Sequence, residues 1–252
     1  MLRAIQLRKE YPGNLALAGL DLHIRAGEVV CLLGANGAGK TTAVNLFMGF
    51  TEPTSGQCFI NDIEVVAGQN QTKKFIAYIP ENVVLYPTLT GLQNLAYLSG
   101  LSGKTYSNTE LTNFLNRAGL QADAHQRRVS TYSKGMRQKV GIALAIAKQA
   151  RALFLDEPTS GLDPLASNEF SALIKSLSRE GVAVLMVTHD LFRAKEMADR
   201  IGIMKAGELV CLLDAATLTH AKLEATYLWV IAQTVESPSA VSEHLNARLA
   251  RP

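Results

Sequence analysis

The stretch Gly34-Ala35-Asn36-Gly37-Ala38-Gly39-Lys40-Thr41 is typical of a phosphate loop, and it sets the architecture of this 252-residue chain. It follows the continuously apolar run Val29–Leu33 and precedes a helical pattern. Its glycines let the backbone turn tightly and point N–H groups at phosphates, at the positive end of a helix that begins at Lys40. Lys40 supplies a positive charge to the β- and γ-phosphates, Thr41 can bind Mg²⁺, and Thr42 can reach the α-phosphate. A Gly-rich turn without a ligand is the weaker interpretation, because the strand and the helical pattern are both present.

A second motif, Leu153-Phe154-Leu155-Asp156-Glu157, is an apolar strand that ends in two acids. It places Asp156 at the carboxyl end of a strand, which is where open α/β sheets bind their ligands. Asp156 suits Mg²⁺, directly or through water, and Glu157 suits the polarisation of an attacking water. Asp-Glu-Pro is also good turn chemistry, so alone the motif fits a simple turn equally well. The phosphate loop in the same chain favours the functional interpretation.

Runs typical of strands alternate with helical patterns, and this order predicts an α/β fold with a mainly parallel sheet. The runs before the two motifs are continuously apolar, as in strands covered on both faces. One helix is predicted to begin after Asp163, with Pro164 at its first position, and to end at Gly181. Its predicted apolar face consists of Leu165, Phe170, Leu173, Ile174 and Leu177. The predicted strands are Val29–Leu33, Gln57–Ile60, Phe75–Ile79, Ala152–Leu155, Val182–Val187, Ile201–Met204 and Glu208–Leu213.

The stretch from about 82 to 149 is mostly helical, with a polar interruption at 99–108, and it lies between two predicted strands. It is therefore expected to be a helical subdomain inserted into a domain of residues 1–213. Residues 214–252 are expected to form a short extension, with a helix at Leu223–Ala232 and a polar tail whose last residues are poorly ordered.

Composition and charge exclude several classes of protein. The net charge of +3 argues against a nucleic-acid binder held by a dense basic surface.

The three cysteines, Cys31, Cys58 and Cys211, are far apart in apolar runs. This pattern predicts buried, reduced thiols and fits a cytosolic compartment. Met1 to Glu10 does not resemble a signal peptide, and no apolar run approaches the ~20 residues that span a bilayer. We expect a soluble chain that reaches a membrane only through a partner.

The stretch Tyr132-Ser133-Lys134-Gly135-Met136 predicts a second anion site. Ser133 is a natural N-cap, and 134–149 reads as a helix. A helix N-terminus with a Ser hydroxyl, and a Gly that permits close approach, binds anions. Within one monomer this site would be far from the phosphate loop, so it makes sense if it meets the γ-phosphate bound to another copy. The predicted apolar face of the helix contains Val140, Ala143, Leu144 and Ala147.

Taken in order, these motifs resemble those of the ATP-binding subunits of ABC transporters, over about residues 2–213. The phosphate loop matches the Walker A motif of that family, and 154–157 its Walker B motif. Tyr132–Met136 matches the signature motif, usually LSGGQ, with Tyr, Lys and Met in place of its Leu, first Gly and Gln. Ser160-Gly161-Leu162-Asp163 matches the D-loop. The resemblance implies a P-loop NTPase of RecA-like core, with a mixed, mainly parallel sheet, an antiparallel β edge and an inserted helical signature subdomain.

The resemblance also implies ATP and Mg²⁺ as cofactors and a role for each matching residue. His189, which alone would more often be structural, matches the switch histidine that contacts the γ-phosphate. Tyr11 lies where the family stacks an aromatic ring on adenine, although a Tyr before Pro-Gly is also a common turn residue. Glu157, His189 and Lys40 are then the catalytic residues, and Thr41, Asp156 and Glu81 face the metal. The nucleotide-binding residues are Tyr11, Gly34, Asn36, Gly37, Ala38, Gly39, Lys40, Thr41 and Thr42, together with Ser133 and Gly135 toward the ATP of a partner subunit.

Glu81 is a departure from the family, which commonly has Gln at this position. A glutamine donates and accepts hydrogen bonds, whereas an ionised glutamate only accepts them. One hypothesis is that Glu81 still binds the metal or its water. The alternative is that Glu81 points away and its loop only contacts a membrane subunit.

The residues in the motifs, including 80–91 and the signature, resemble those of ABC-2-type exporter ATPases. The resemblance is to one subgroup in particular, which serves copper-enzyme maturation in nitrous oxide reduction. This resemblance implies a pair of ATPase subunits, expected to be a homodimer, at the inner face of the cell membrane. The pair is expected to drive a separate permease, which it contacts through the region Glu81–Thr90. An importer ATPase remains the alternative, although 214–252 is too short for a large regulatory domain. A repair or translation ATPase is less favoured, because the chain has one cassette, no heptad run and little positive charge.

Overall fold

The phosphate loop lies at the carboxyl end of a central strand in a six-stranded sheet. The structure is a computed structural model that describes residues 1–232. Its strands are β1 (Leu2–Tyr11), β2 (Asn14–Ile24), β3 (Val29–Leu33), β4 (Ser55–Ile60), β5 (Ile63–Glu64), β6 (Ile76–Ile79), β7 (Ala152–Asp156), β8 (Ala183–Thr188), β9 (Arg200–Lys205) and β10 (Glu208–Asp214). Its helices are α1 (Lys40–Phe47), α2 (Gly91–Leu101), α3 (Asn108–Arg117), α4 (Lys134–Lys148), α5 (Pro164–Arg179), α6 (Leu191–Met197) and α7 (His220–Ala232).

The larger sheet has the strand order β10-β9-β3-β8-β7-β6. Strands β6, β7, β8, β3 and β9 run parallel, and β10 pairs antiparallel with β9 at the edge. Because the carboxyl ends of parallel strands meet at one edge, the segments after β3, β7 and β8 come together there. The sheet confirms the predicted α/β fold, and it gathers the phosphate loop, the acidic pair and His189 at one edge.

Strand β3 is buried on both faces, as its continuous apolar sequence predicts. Val29, Cys31 and Leu33 pack into a core formed with the helical segment and α5. Val30 and Leu32 point the opposite way, into a core that includes α1 and the smaller sheet. The strand that carries the phosphate loop is therefore shared by the two hydrophobic cores.

The smaller sheet is antiparallel, in the order β2-β1-β4-β5. Its long strands β1 and β2 were not among the strands predicted from sequence. In β1 the alternation of buried and exposed residues breaks at Ile5 and Gln6, where the pairing register shifts and Gln6 takes a positive φ of 45°. A bulge of this kind interrupts the period of two that identifies a half-buried strand.

The other elements lie close to their predicted positions. All seven predicted strands are present, and no strand end differs from its prediction by more than two residues. The insertion between β6 and β7 contains α2, α3 and α4, but its non-helical interruption is 102–107, because α2 continues to Leu101. Helix α7 starts three residues before the predicted Leu223. The predicted polar tail, from residue 233, lies outside the described residues.

Two side-chain predictions were wrong. Leu165 is 70% exposed and does not belong to the apolar face of α5. At 3.6 residues per turn it lies about 140° around the helix from Phe170, which is buried. Cys211 is only partly buried, because β10 is an edge strand, whereas Cys31 and Cys58 are buried as predicted.

Within residues 1–232, no helix has the length and apolar character needed to cross a bilayer.

Candidate active site

The phosphate loop is packed so closely that two of its glycines have no room for a side chain. A Cβ atom on Gly34 would lie 2.5 Å from the carbonyl oxygen of Met204. A Cβ atom on Gly39 would lie 2.5 Å from the carbonyl oxygen of Ala16, and Gly39 also has a φ of 99°. The loop is therefore held between β9 and β2, with its backbone turned into α1. Asn36 and Gly37 are exposed at its tip, while Ala38 is buried.

Lys40 begins α1 and is folded back into the loop. Its side chain is 8% exposed, and Nζ donates hydrogen bonds to the carbonyl oxygens of Gly34 at 2.6 Å and Ala35 at 3.1 Å. Burial lowers the pKa of Lys40, and the charges of Glu157 and Asp156 act against that decrease. The ammonium group thus lies inside the loop and near the two acids, where it could bind a phosphate held by the loop. Thr41 and Thr42 follow on the same turn, exposed and half-buried respectively.

Asp156 ends β7 among negative charges. Burial raises the pKa of Asp156, a hydrogen bond from the hydroxyl of Tyr78 at 3.2 Å lowers it, and the charges of Glu157 and Glu81 raise it further. Burial, together with the charge and hydrogen bond of Asp156, raises the pKa of Tyr78 to about 12. Tyr78 therefore stays a hydrogen-bond donor, and it fixes one carboxylate oxygen of Asp156.

Glu157 is held by two side chains from the end of β8. Thr188 Oγ1 donates to Oε2 of Glu157 at 2.7 Å, and Nδ1 of His189 lies 2.8 Å from Oε1. The backbone N–H of Glu157 donates to Val187, and Glu157 has a positive φ of 45°. This conformation is uncommon for a residue with a side chain and frequent at functional sites. The carboxylate is 18% exposed and the His189 ring 66% exposed, so a ligand can approach from the solvent side.

Glu81 lies beside this group of residues, but its contacts are with protein side chains. Oε1 of Glu81 accepts hydrogen bonds from Oγ of Ser160 at 3.0 Å and Nζ of Lys134 at 3.3 Å. These two contacts lower the pKa of Glu81 and keep it ionised, with a smaller contribution from the nearby His189. The predicted contact between Glu81 and the metal stays a prediction.

The signature stretch opens α4 as expected. Ser133 is the N-cap, and its hydroxyl accepts a hydrogen bond from the backbone N–H of Met136. Space for a Cβ on Gly135 is bounded by Leu162 and Ala166, from the D-loop and α5. Tyr132 is buried, and its hydroxyl donates to the carbonyl oxygen of Ala124. The motif thus contacts the D-loop side of its own subunit, and the small cavity beside Ser133 and Gly135 is lined by α4, Leu162 and α5.

Tyr11 ends β1 at the turn through Gly13. It is 38% exposed, and the ammonium group of Lys9 lies 4.9 Å from the centre of its ring. An exposed aromatic ring with a cation beside it is compatible with stacking on a base. Adenine stacking by Tyr11 stays a prediction.

The arrangement fits Mg²⁺ bound together with a nucleotide. Within residues 1–232 no group of three or more His, Cys, Asp or Glu side chains is placed to hold a metal alone. Mg²⁺ commonly takes one or two carboxylates and completes its shell with substrate phosphates and water. Asp156 fits this role, because burial and neighbouring acids make its charge costly until a cation neutralises it. Thr41 would supply a hydroxyl from the phosphate loop.

A cavity of about 320 Å³ adjoins the acidic end of β7. Its walls include Glu157, Ser160, Thr188, His189 and Arg193, so it opens onto the carboxylate that is proposed to polarise water. A larger cavity, of about 480 Å³, lies elsewhere, between the ends of α3 and α4 and the turn after α5. Glu157, Thr188 and His189 do not line that cavity, so the larger of the two cavities is not the one beside the candidate catalytic carboxylate.

Sequence reasoning missed two supporting side chains. Tyr78 holds Asp156, and Thr188 holds Glu157 while its Oγ1 also accepts from the N–H of Asp190. Tyr78 could have been found from the strand order, since β6 pairs directly with β7. Thr188 immediately precedes His189, at the carboxyl end of β8.

Comparisons with known proteins identify the family. The sequence pattern described as ABC transporter matches residues 17–160. The chain is similar to the uncharacterized ABC transporter ATP-binding protein YdbJ of Bacillus subtilis, with 36% identity over 81% of this chain and 66% of that protein. It is also similar to the daunorubicin/doxorubicin resistance ATP-binding protein DrrA of Streptomyces peucetius, with 34% identity over 82% of this chain and 64% of that protein. The chain thus matches slightly less than two thirds of the length of each.

The fold agrees with a solved structure. It is similar to the dimeric ATP-binding cassette MJ0796 in a post-hydrolysis state with ADP and Pi, with a TM-score of 0.76 and 27% identity. That match covers 85% of this chain and 99% of the cassette. The order of the motifs, the sheet that gathers them and these relatives agree, and the chain belongs to the ABC transporter family of ATP-binding proteins.

Proposed function

We propose that this chain is the ATP-binding and ATP-hydrolysing subunit of an ABC transporter, with its ATPase cassette in residues 1–213. The observation that supports this most directly is the placement of Glu157. Its two carboxylate oxygens are held by Thr188 and His189, beside a phosphate loop whose Lys40 lies in electrostatic contact with it. A structural protein would have no need for this combination of a buried ammonium and two acids.

In the proposed reaction, the loop N–H groups and Lys40 bind the β- and γ-phosphates. Glu157 orients a water and accepts its proton as the water oxygen attacks the γ-phosphorus. The bond from the γ-phosphorus to the bridging oxygen breaks, and ADP and inorganic phosphate result. His189 orients Glu157 and faces the γ-phosphate from the solvent side. Asp156 and Thr41 would hold Mg²⁺, which would neutralise negative charge on the phosphates.

The proposed working unit is a pair of these chains, most simply a homodimer. Ser133 and Gly135 present a helix N-terminus, and the cavity beside them contains no phosphate-loop residue, so we propose the ATP of a second copy as the ligand. The dimeric state of the similar cassette MJ0796 supports this arrangement.

The proposed role in the cell is export through a separate membrane permease, with the chain on the inner face of the membrane. The similarity to DrrA, a daunorubicin/doxorubicin resistance ATP-binding protein, supports export. The segment between β6 and α2 supports a docking role, because Val84 is 88% exposed and Tyr86 is exposed beside it. The transported substrate would be selected by the permease.

Phosphate release from ATP-Mg²⁺ by the purified chain tests this proposal. Glu157→Gln should lose at least about 100-fold in kcat and still bind ATP, because the amide cannot take the proton of water. Glu180→Gln is the matched control, since Glu180 pairs with Arg117 on the surface. In saturating ATP-Mg²⁺ the Glu157→Gln variant should elute as a dimer in size-exclusion chromatography. A monomer there would contradict the paired mechanism, and full activity of Glu157→Gln would contradict the role of Glu157.

A further inference from the structure

Two of the departures from the family motifs, Glu81 and Lys134, lie against each other in the fold. They are 53 residues apart in sequence, yet Nζ of Lys134 is 3.3 Å from Oε1 of Glu81. Oγ of Ser160 donates to the same oxygen at 3.0 Å. One carboxylate therefore joins three segments, which are the loop after β6, the first turn of α4 and the D-loop.

Lys134 needs a negative partner at this position. It is the first residue of α4, where the helix dipole is positive and disfavours a cation. The first turn of α4 contains no acidic residue that could compensate. The Lys134 side chain is only 25% exposed, so water screens its charge incompletely. Glu81 supplies the missing charge from outside the helix.

Glu81 in turn needs a positive partner. Its charge adds to the negative potential at Asp156, beside which Glu157 also lies. Lys40 offsets part of this potential at Asp156, and a third carboxylate in the region is more favourable when it has a cation of its own. Lys134 is the ammonium group that hydrogen-bonds to Glu81, and the nearby His189 makes a weaker favourable contribution.

We propose that Glu81 and Lys134 act together as positioning residues. Their ion pair fixes the position of the first turn of α4 relative to the nucleotide site of its own subunit. The pair takes the place of the Gln and Gly that the family pattern has at these positions. The inference rests on the proposed function, because Ser133 and Gly135, which the pair positions, are the groups offered to the ATP of a second subunit.

This proposal differs in its consequences from metal binding by Glu81. If Glu81 acted through Mg²⁺, the effect of Glu81→Gln would be independent of residue 134. If the ion pair is what matters, each single neutralisation leaves one charge unpaired, at the positive end of α4 or beside Asp156. Neutralising both removes the two penalties together, so the effects are not additive.

A double-mutant cycle with Glu81→Gln and Lys134→Gln tests the pair. Hydrogen exchange of residues 134–137 is measured in the nucleotide-free protein, and kcat and KM are measured for ATP. Each single variant should increase that exchange and lower kcat/KM. The double variant should lose at least about threefold less than the product of the single effects. Lys134→Arg, which keeps the charge, should resemble the unchanged protein in both measurements.

The control is a second cycle on the ion pair between Lys139 of α4 and Glu169 of α5, whose atoms are 2.7 Å apart. Lys139 lies on the same helix as Lys134 but pairs with a different carboxylate, so neutralisation of this control pair should leave exchange at 134–137 and the ATP kinetics unchanged. Thermal unfolding of all variants separates general loss of stability from the specific effect.

Additive effects of Glu81→Gln and Lys134→Gln would overturn the proposal. So would coupling confined to the unfolding temperature, because a purely structural ion pair would give that result. A changed Mg²⁺ requirement of Glu81→Gln that persists with Lys134→Gln would also overturn it, in favour of metal binding. The exchange measurement needs no nucleotide, so absence of ATP hydrolysis in the unchanged protein would contradict the proposed function while the exchange cycle still decides about the pair.

Discussion

Nδ1 of His189 lies 2.8 Å from Oε1 of Glu157, and this contact joins the ends of two neighbouring strands. The His189 ring is largely exposed, whereas the carboxylate is largely buried. His189 is therefore the side of the pair that a bound nucleotide can reach first. A ligand that moves the ring also changes the surroundings of the carboxylate.

His189→Ala should lower kcat for ATP hydrolysis by about 100-fold, because Glu157 loses one of its two orienting partners. The unfolding temperature should change little, since the ring is exposed. Steady-state phosphate release and a thermal melt check the two statements. His220→Ala is the control, because His220 stacks on Phe192 rather than contacting Glu157. A large loss of stability with unchanged kcat would contradict a role in orienting Glu157.

Thr188→Val should reduce both stability and activity, whereas Thr188→Ser should preserve both. Thr188 is buried, and its hydroxyl bonds Glu157 and the N–H of Asp190. Valine keeps the shape but leaves those partners unsatisfied, at a cost of about 1–3 kcal/mol in the free energy of unfolding. Urea unfolding and kcat measurements on the two variants test this. Equal behaviour of the Val and Ser variants would show that the hydroxyl is not needed.

Asp156→Asn should stabilise the nucleotide-free protein at pH 7 while weakening binding of ATP-Mg²⁺. The pKa of Asp156 is raised in the folded state, mainly by burial, so its ionised form opposes folding. The unfavourable contribution is absent below the unfolded pKa of about 4 and grows as the pH rises through the folded pKa. The stability advantage of the Asn variant should therefore shrink as the pH falls toward 4. Urea unfolding at a series of pH values measures it, and an advantage that grew on acidification would contradict the assignment.

Gly39→Ala should disrupt the phosphate loop more than backbone strain alone can explain. The new Cβ would lie 2.5 Å from the carbonyl oxygen of Ala16, in addition to the strain of a φ of 99°. Gly103→Ala is the matched control, since Gly103 has a φ of 75° with open space around it. The control should lose about 1 kcal/mol of stability and keep nucleotide affinity. Gly39→Ala should lose more stability and most of its affinity in a titration with fluorescent ATP, and equal losses in the two variants would contradict the clash.

Local patterns made much of this fold predictable. The continuous apolar sequence of β3 and β7 identified strands buried on both faces. Ser133 and Asp163 predicted the starts of two helices, and both residues are N-caps in the structure. Strand β1 escaped prediction because its bulge at Gln6 breaks the alternation that would reveal it. Leu165 was misplaced because an apolar residue near a helix start is easily counted without its angular position.

The candidate site was predictable where one short segment carries the chemistry, as in the phosphate loop and the acidic pair. It was not predictable where the chemistry depends on two distant segments. The hydroxyl of Tyr78 reaches Asp156 across neighbouring strands, and Lys134, at the start of α4, reaches Glu81 in the loop after β6. Spacing along the chain contains no information about such contacts until the strand order is known.

Because β3 packs into two hydrophobic cores, its position affects how the protein unfolds. Cys31 faces one core and Leu32 the other, so neither core can come apart without loosening the strand that ends in the phosphate loop. A nucleotide bound at that loop would then be linked to both cores by mass action. Its binding energy would oppose partial unfolding on either side of the sheet, so that the molecule melts as one cooperative unit when occupied.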